Sequence, residues 1–180
     1  KLSKYFSLPW ISTDQIRSII KWVTREEDNP KLFNKINDGE KFLNTFSSQE
    51  ISDMEFEQWI AMWNSLKNFI ENDCTWKNWF IIEWVNLIPD LISRDFWKIK
   101  KIKSIFLVDE YEDRIRKVIF NRWLWGNSDS YPDYVKEKEI EWVLLFGKRL
   151  KLEAKKLWMD IVEIGKNEND IKNVIKKLEV

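Results

Sequence analysis

Histidine is absent from the 180 residues, and cysteine occurs once, at Cys74. Without an imidazole there is no Ser-His-Asp or Cys-His nucleophilic site, no His-bearing zinc site and no histidine acid–base step. A lone cysteine excludes internal disulfides and cysteine-rich metal knots, and it suits a reducing, intracellular compartment. Glycine and proline number four each, whereas a sandwich or barrel needs a turn signal roughly every 8 to 12 residues. All-β architecture is therefore not expected. No glycine-rich phosphate loop, GxSxG elbow, CxxC pair or EF-hand loop occurs, so the sequence calls for no cofactor, no metal and no catalytic residue. The longest apolar stretch, Trp79 to Ile92, is broken by Glu83, Asn86, Pro89 and Asp90. It falls short of the roughly 20 residues that a bilayer span requires and is expected to be a core helix.

What is present is a globular balance: 44% hydrophobic and 33% charged residues, enough to fill one core under a well-solvated exterior. Twelve tryptophans stand out. Each buries roughly 150 to 250 Å², so most are expected in the core. Trp also anchors binding surfaces, and Trp59, Trp63, Trp97 and Trp125 are the candidate partner-binding residues. The chain opens on Lys1 rather than Met and has no secretory cleavage signature, as a piece of a longer protein would.

Helical periodicity runs through the chain. Ser12 and Gln15 stand at capping-box spacing, ahead of Ile16, Ile19, Ile20 and Val23 on one face. Asn29-Pro30 ends that helix. Leu32 to Phe46 reads as two pieces broken at Asp38-Gly39, with a β-hairpin about that turn as the competing reading. Ser47 or Ser52, each followed three residues on by Glu, opens a third helix carrying Phe56, Trp59, Ile60, Trp63, Leu66 and Ile70 inward. Thr75 caps a fourth, apolar on nearly every side from Trp76 to Ile88 and so expected at the centre. A fifth, after Pro89, points Ile92, Phe96, Ile99, Ile102 and Phe106 inward. Acidic residues 109 to 113 open the next, as a helix dipole favours. Gly126 to Tyr131 reads as a loop. The strongest signal follows, with Ile140, Val143, Leu144, Gly147, Leu150, Ala154, Leu157, Trp158 and Ile161 keeping 3/4 spacing. Mid-helix Gly147 predicts close approach of a neighbouring helix. Gly165 and Asp170 then stop one helix and start the last.

The expected fold is all-α: a single domain, residues 1–180, of seven or eight helices in an irregular antiparallel bundle or a short stack of helical pairs. In its apolar spacing Glu153 to Leu178 is similar to one helix pair of a HEAT-like or TPR-like array, which implies the stack. The expected function is a non-enzymatic, intracellular interaction domain that binds a protein partner through an apolar, Trp-bearing surface. The alternative is a nucleic-acid or anionic-membrane module. Lys98, Lys100, Lys101 and Lys103, with Arg114, Arg116, Lys117 and Arg122, would supply its phosphate contacts. From residue 94 onward 20 basic and 16 acidic side chains leave +4, and residues 1–93 carry −4; solvated helix faces routinely show such an imbalance. A third class, an enzyme working with carboxylates alone, would use Glu83 in its apolar setting. The acidic run 109–113 imitates a magnesium-binding motif, but helix capping explains it.

Overall fold

The computed structural model describes residues 1–34, 36–76, 79–83, 87–121, 130–165 and 169–179, the side chains of 73–76 excepted. Trp84, Arg122, Trp125, the Gly126 loop tip, and the side chains of Cys74 and Thr75 thus lie outside it. The chain is mostly helical, with eight α-helices among the described residues. In order they are α1 (Leu2–Phe6), α2 (Thr13–Val23), α3 (Gly39–Thr45), α4 (Ser48–Trp76), α5 (Pro89–Phe96), α6 (Glu112–Asn121), α7 (Asp133–Lys156) and α8 (Asp170–Glu179). Four short strands are threaded between them: β1 (Trp10–Ser12), β2 (Ile81–Glu83), β3 (Ile105–Val108) and β4 (Asp160–Glu163).

The strands form two parallel pairs, β1 with β2 and β3 with β4. Parallel strands need a crossover of a dozen or more residues, and long helices supply it: α4 precedes β2, and α7 precedes β4. Both halves run strand, helix, long helix, strand, short helix, with α3 and a 3₁₀ turn inserted before the long helix in the first. The helix after each first strand opens alike, with Asp14-Gln15-Ile16-Arg17 in α2 and Asp113-Arg114-Ile115-Arg116 in α6.

The long helices α4 and α7 form the spine of the core. Trp59, Met62, Trp63 and Leu66 of α4 pack in one buried cluster with Phe146 and Ala154 of α7 and with Ile92 and Phe96 of α5. The rings of Phe56 and Phe146 stand 5.3 Å apart across this contact. A second cluster joins Leu43, Ile51 and Val135, and a third joins Ile115, Ile119 and Ile140. The apolar stripe of α7 thus serves three neighbours in succession.

Local signals were realised unevenly. Glu50 accepts from the Ser47 amide at 2.8 Å and from its hydroxyl at 2.7 Å, which makes the expected capping box. The Asp38 carboxylate accepts from the Lys41 amide at 2.7 Å, so the Asp38-Gly39 break starts a helix and is no hairpin. The piece before it shrinks to a single 3₁₀ turn, Pro30–Leu32. Ser12 makes no side-chain cap bond, because it belongs to β1. Instead the Thr13 hydroxyl donates to the Glu83 carbonyl at 3.3 Å and ties the ends of β1 and β2 together. Ile16 and Ile20 pack inward, while Ile19 and Val23 stay exposed.

Three expected helical stretches are corrected. The central helix across Trp76 to Ile88 gives way to β2; the fifth helix stops at Phe96, and Phe106 lies in β3; the α7 helix ends at Lys156, and Ile161 lies in β4. Short apolar runs such as Ile81-Ile82 and Ile105-Phe106-Leu107-Val108 suit a buried parallel strand as well as a helix, and periodicity does not separate the two. Gly147 also differs from expectation. A Cβ there would meet only the Asp109 carbonyl, at 4.0 Å, and no close helix.

Candidate partner-docking cleft

Between the two strand pairs lies an apolar cleft of about 190 Å³, open to solvent. Its position follows from the chain's punctuation. Pro89 sits at the first turn of α5, where its missing N–H costs nothing, and sends the chain away from β2. Leu91, Ile92 and Phe96 of α5 are then buried. The segment after α5 brings Ile102, Ser104 and Ile105 back to the opposite wall, and Phe80 and Ile82 form the near wall. Trp63 and Ile70 of α4 close the inner end.

One polar tie fixes that inner end. Trp63 Nε1 donates to Asp95 Oδ2 at 2.5 Å, and Arg94 donates to the same carboxylate at 2.7 Å. The Arg94 bond, then the Trp63 bond, hold the Asp95 carboxyl well below its ordinary range, against the opposing effect of burial. Lys67 adds an ion pair at 3.4 Å. The cluster joins α4 to α5 and satisfies an indole that would otherwise be a buried, unpaired donor.

One exposed tryptophan stands at the opening, and two more line the groove beside it. Trp79 lines the cleft and is about half exposed. Trp97 closes the end of α5 at 72% exposure, with Lys98 Nζ 5.3 Å from its ring centroid. Trp158 is 95% exposed. An adjoining groove runs from Trp97 to Trp158 and Met159, and it shares Ile92, Phe96, Ile102 and Ile105 with the cleft. Lys177 pairs with Asp160 at its edge.

Two backbone hydrogen bonds hold Trp158 there, against strain. The Trp158 amide donates to the Lys155 carbonyl at 3.2 Å and the Met159 amide to the Ala154 carbonyl at 3.0 Å. This is the Schellman ending of a helix, whose left-handed residue is usually glycine. Trp158 occupies that place with φ at 56°, a conformation that costs an L-residue roughly 1–2 kcal/mol. A large apolar side chain is therefore displayed to solvent at a position where glycine would be easier.

The candidate residues read from sequence separate cleanly. Trp59 and Trp63, expected as surface anchors, are 1% and 2% exposed and belong to the core, which corrects that reading. Helical spacing puts both on the α4 face turned to α7 and α5, so their burial follows from the packing of three helices. Trp97 is at the surface as expected, and Trp125 lies outside the described residues. Trp158, expected in the core because the α7 periodicity runs through it, is the most exposed of the large apolar residues among those described. Nothing in the sequence marks the helix end at Lys156, since no glycine follows it.

Among the basic residues, Arg114 bonds Asp109 at 2.6 Å, and Arg116 pairs with Glu112 at 2.9 Å and with Glu137. Lys103 donates to the Leu178 carbonyl at 2.7 Å. Lys98, Lys100, Lys101 and Lys117 are exposed, and Arg122 is not among the described residues. Within the acidic run Asp109 and Glu112 hold Arg114 and Arg116, and Glu110 accepts from Lys151 at 2.5 Å, a lysine that also donates to Glu163 of β4 at 2.7 Å. Glu83 is exposed at the end of β2 and not on an apolar helix, which removes the setting that suggested it as a catalytic acid. No helix among the described residues is long and apolar enough to cross a membrane. No protein-family model, curated protein or solved structure matches this chain.

Proposed function

We propose that the chain is an interaction domain that docks a polypeptide partner in the apolar cleft between β2 and β3 and the groove beside it. The observation that carries the reading is a run of exposed tryptophans along adjoining apolar depressions: Trp79 at the cleft, and Trp97 and Trp158 at the groove beside it, with Trp158 in a strained conformation. Exposed Trp beside an apolar pocket is the composition of a binding anchor. Strain kept at a fully displayed side chain is consistent with a functional constraint. A reducing compartment suits the single Cys74. The basic residues favour phosphate contacts less, because Arg114 and Arg116 are already engaged by carboxylates of this chain.

Site-specific photo-crosslinking tests the proposal. A benzoylphenylalanine placed at position 97 or 158 is expected to form polypeptide adducts in the source cell. The same group at Tyr134 serves as the control. Tyr134 opens α7 and Trp158 follows its end, so the two stand about 36 Å apart at ~1.5 Å per helical residue. Equal adducts from all three positions, or none from 97 and 158, would refute it.

A further inference from the structure

We infer that the partner is a short acidic segment built about one large apolar residue, whose side chain enters the cleft while neighbouring carboxylates meet the lysines at its edge. The inference rests on the reading of the cleft as a polypeptide site and names the chemistry of what docks.

Volume sets the anchor. The cleft, about 190 Å³, slightly exceeds the ~150 Å³ of an engineered apolar cavity that admits benzene. One phenyl or isobutyl group fills such a space, and a length of main chain does not enter it. The walls are of the same kind, supplied by Ile70, Phe80, Ile82, Ile92 and Phe96. Trp63, at the inner end, already gives its indole N–H to Asp95. A polar or charged side chain carried to that depth would lose its water for little in return. Binding energy concentrates where one large apolar side chain fills a pocket ringed by groups that exclude water, and half-exposed Trp79 supplies such cover at the mouth.

Charge sets the flanks. Beyond α5 the chain makes two further turns, with the Ile99 amide donating to the Phe96 carbonyl and the Ile102 amide to the Ile99 carbonyl, each at 2.9 Å. Ile99 and Ile102 pack against the core, so Lys98, Lys100, Lys101 and Lys103 are left outside. Lys101 and Lys103 line the cleft, and among the described residues no carboxylate does. Lys98 lies over Trp97, which borders the groove.

This clustering is unlike the rest of the chain. Each of the six described arginines is paired with a carboxylate, whereas Lys98, Lys100 and Lys101 meet none among the described residues. The acids beside the two depressions are already engaged: Asp95 holds Arg94, Trp63 and Lys67, and Asp160 holds Lys177. Three uncompensated cations within four residues, at the edge of an apolar opening, attract an acidic segment and repel a basic one.

The test uses the whole chain and short fluorescein-labelled peptides, read by anisotropy. The first peptide carries a single Phe among Asp, Glu, Ser and Gly; the second has Ala for that Phe; the third has Lys for every acid. The first is expected to bind saturably, and the second about ten- to a hundredfold more weakly, as burial of one Phe side chain implies. The third should bind about tenfold more weakly at ~0.1 M salt, and the difference should vanish near ~1 M, where screening is complete within about 3 Å. Lys100→Glu with Lys101→Glu, both exposed, should weaken the first peptide about tenfold at the lower salt and leave the ratio of Phe to Ala peptide unchanged. Equal binding of the Ala peptide would overturn the anchor, and affinity indifferent to flank charge and salt would overturn the carboxylates. An oligothymidylate that binds as tightly as the first peptide would overturn both. Crosslinks at 97 and 158 with no binding of the first peptide would overturn the inference and leave the docking reading standing.

Discussion

Trp59 and Trp158 are the same residue in opposite circumstances, and replacing each by alanine separates core from display. Trp59 is 1% exposed at the centre of the α4 packing face. Removing about 150 to 250 Å² of buried side chain at ~25 cal/mol per Å² costs ~4–6 kcal/mol, and Trp→Ala in cores is measured at about 3–5 kcal/mol. Two smaller losses accompany it. Nε1 no longer donates to Glu55 at 3.2 Å, and the Arg17 guanidinium loses a ring 5.4 Å away, the latter contributing ~0.5–1 kcal/mol. We expect about 4 kcal/mol in all. With a urea slope of about 2 kcal/mol per molar, the midpoint falls by about 2 M. Trp158→Ala removes no burial and should stay within ~0.5 kcal/mol. Trp158→Gly relieves the left-handed backbone and should gain about 1 kcal/mol. Urea titrations followed by far-ultraviolet circular dichroism read all three. The reasoning is refuted if Trp158→Ala costs as much as Trp59→Ala, or if Trp158→Gly is destabilising. Should Trp59→Ala fail to fold at all, Trp59→Phe gives the same comparison with a smaller cavity.

Asp95→Asn is expected to cost ~1.5–3 kcal/mol at neutral pH, the range for hydrogen bonds to a charged group. Because the folded carboxyl is depressed below its ordinary 3.8, its contribution is fully present above that value and is lost as pH falls through the folded one. The difference in urea midpoint between wild type and variant should therefore shrink in acid, and a constant difference would contradict the assignment. Gly165→Ala meets two obstacles, a backbone φ of 89° and a Cβ 2.7 Å from Arg114 Nε, which is itself bonded to Asp109. A loss of about 1–3 kcal/mol is expected, and an unchanged thermal midpoint would show that the Gly165 turn relaxes freely.

Much of the helical plan was legible because its signals are local. The Ser47/Glu50 box, the Asp38 cap and the 3/4 spacing of Ile140 to Ala154 each involve residues within a turn or two of one another, and each acts the same way in any surroundings. Burial of Trp59 and Trp63 was less legible. Spacing assigned them to one face of α4, but whether that face meets solvent or other helices depends on α5 and α7.

The sequence by itself determined a predominantly helical chain, where its longest helices lie, and the absence of any imidazole chemistry. Only the tertiary structure decided that Ile81-Ile82 and Ile105 to Val108 are strands. Their apolar runs suit helix and strand alike, and the choice went to whichever partner, β1 or β4, stood ready to take their backbone hydrogen bonds. It also decided that Trp158 faces water, because α7 must end before β4 can align with β3. Pairing between residues 50 or more positions apart leaves no trace in local spacing, so the cleft between the strand pairs exists only once the chain has folded.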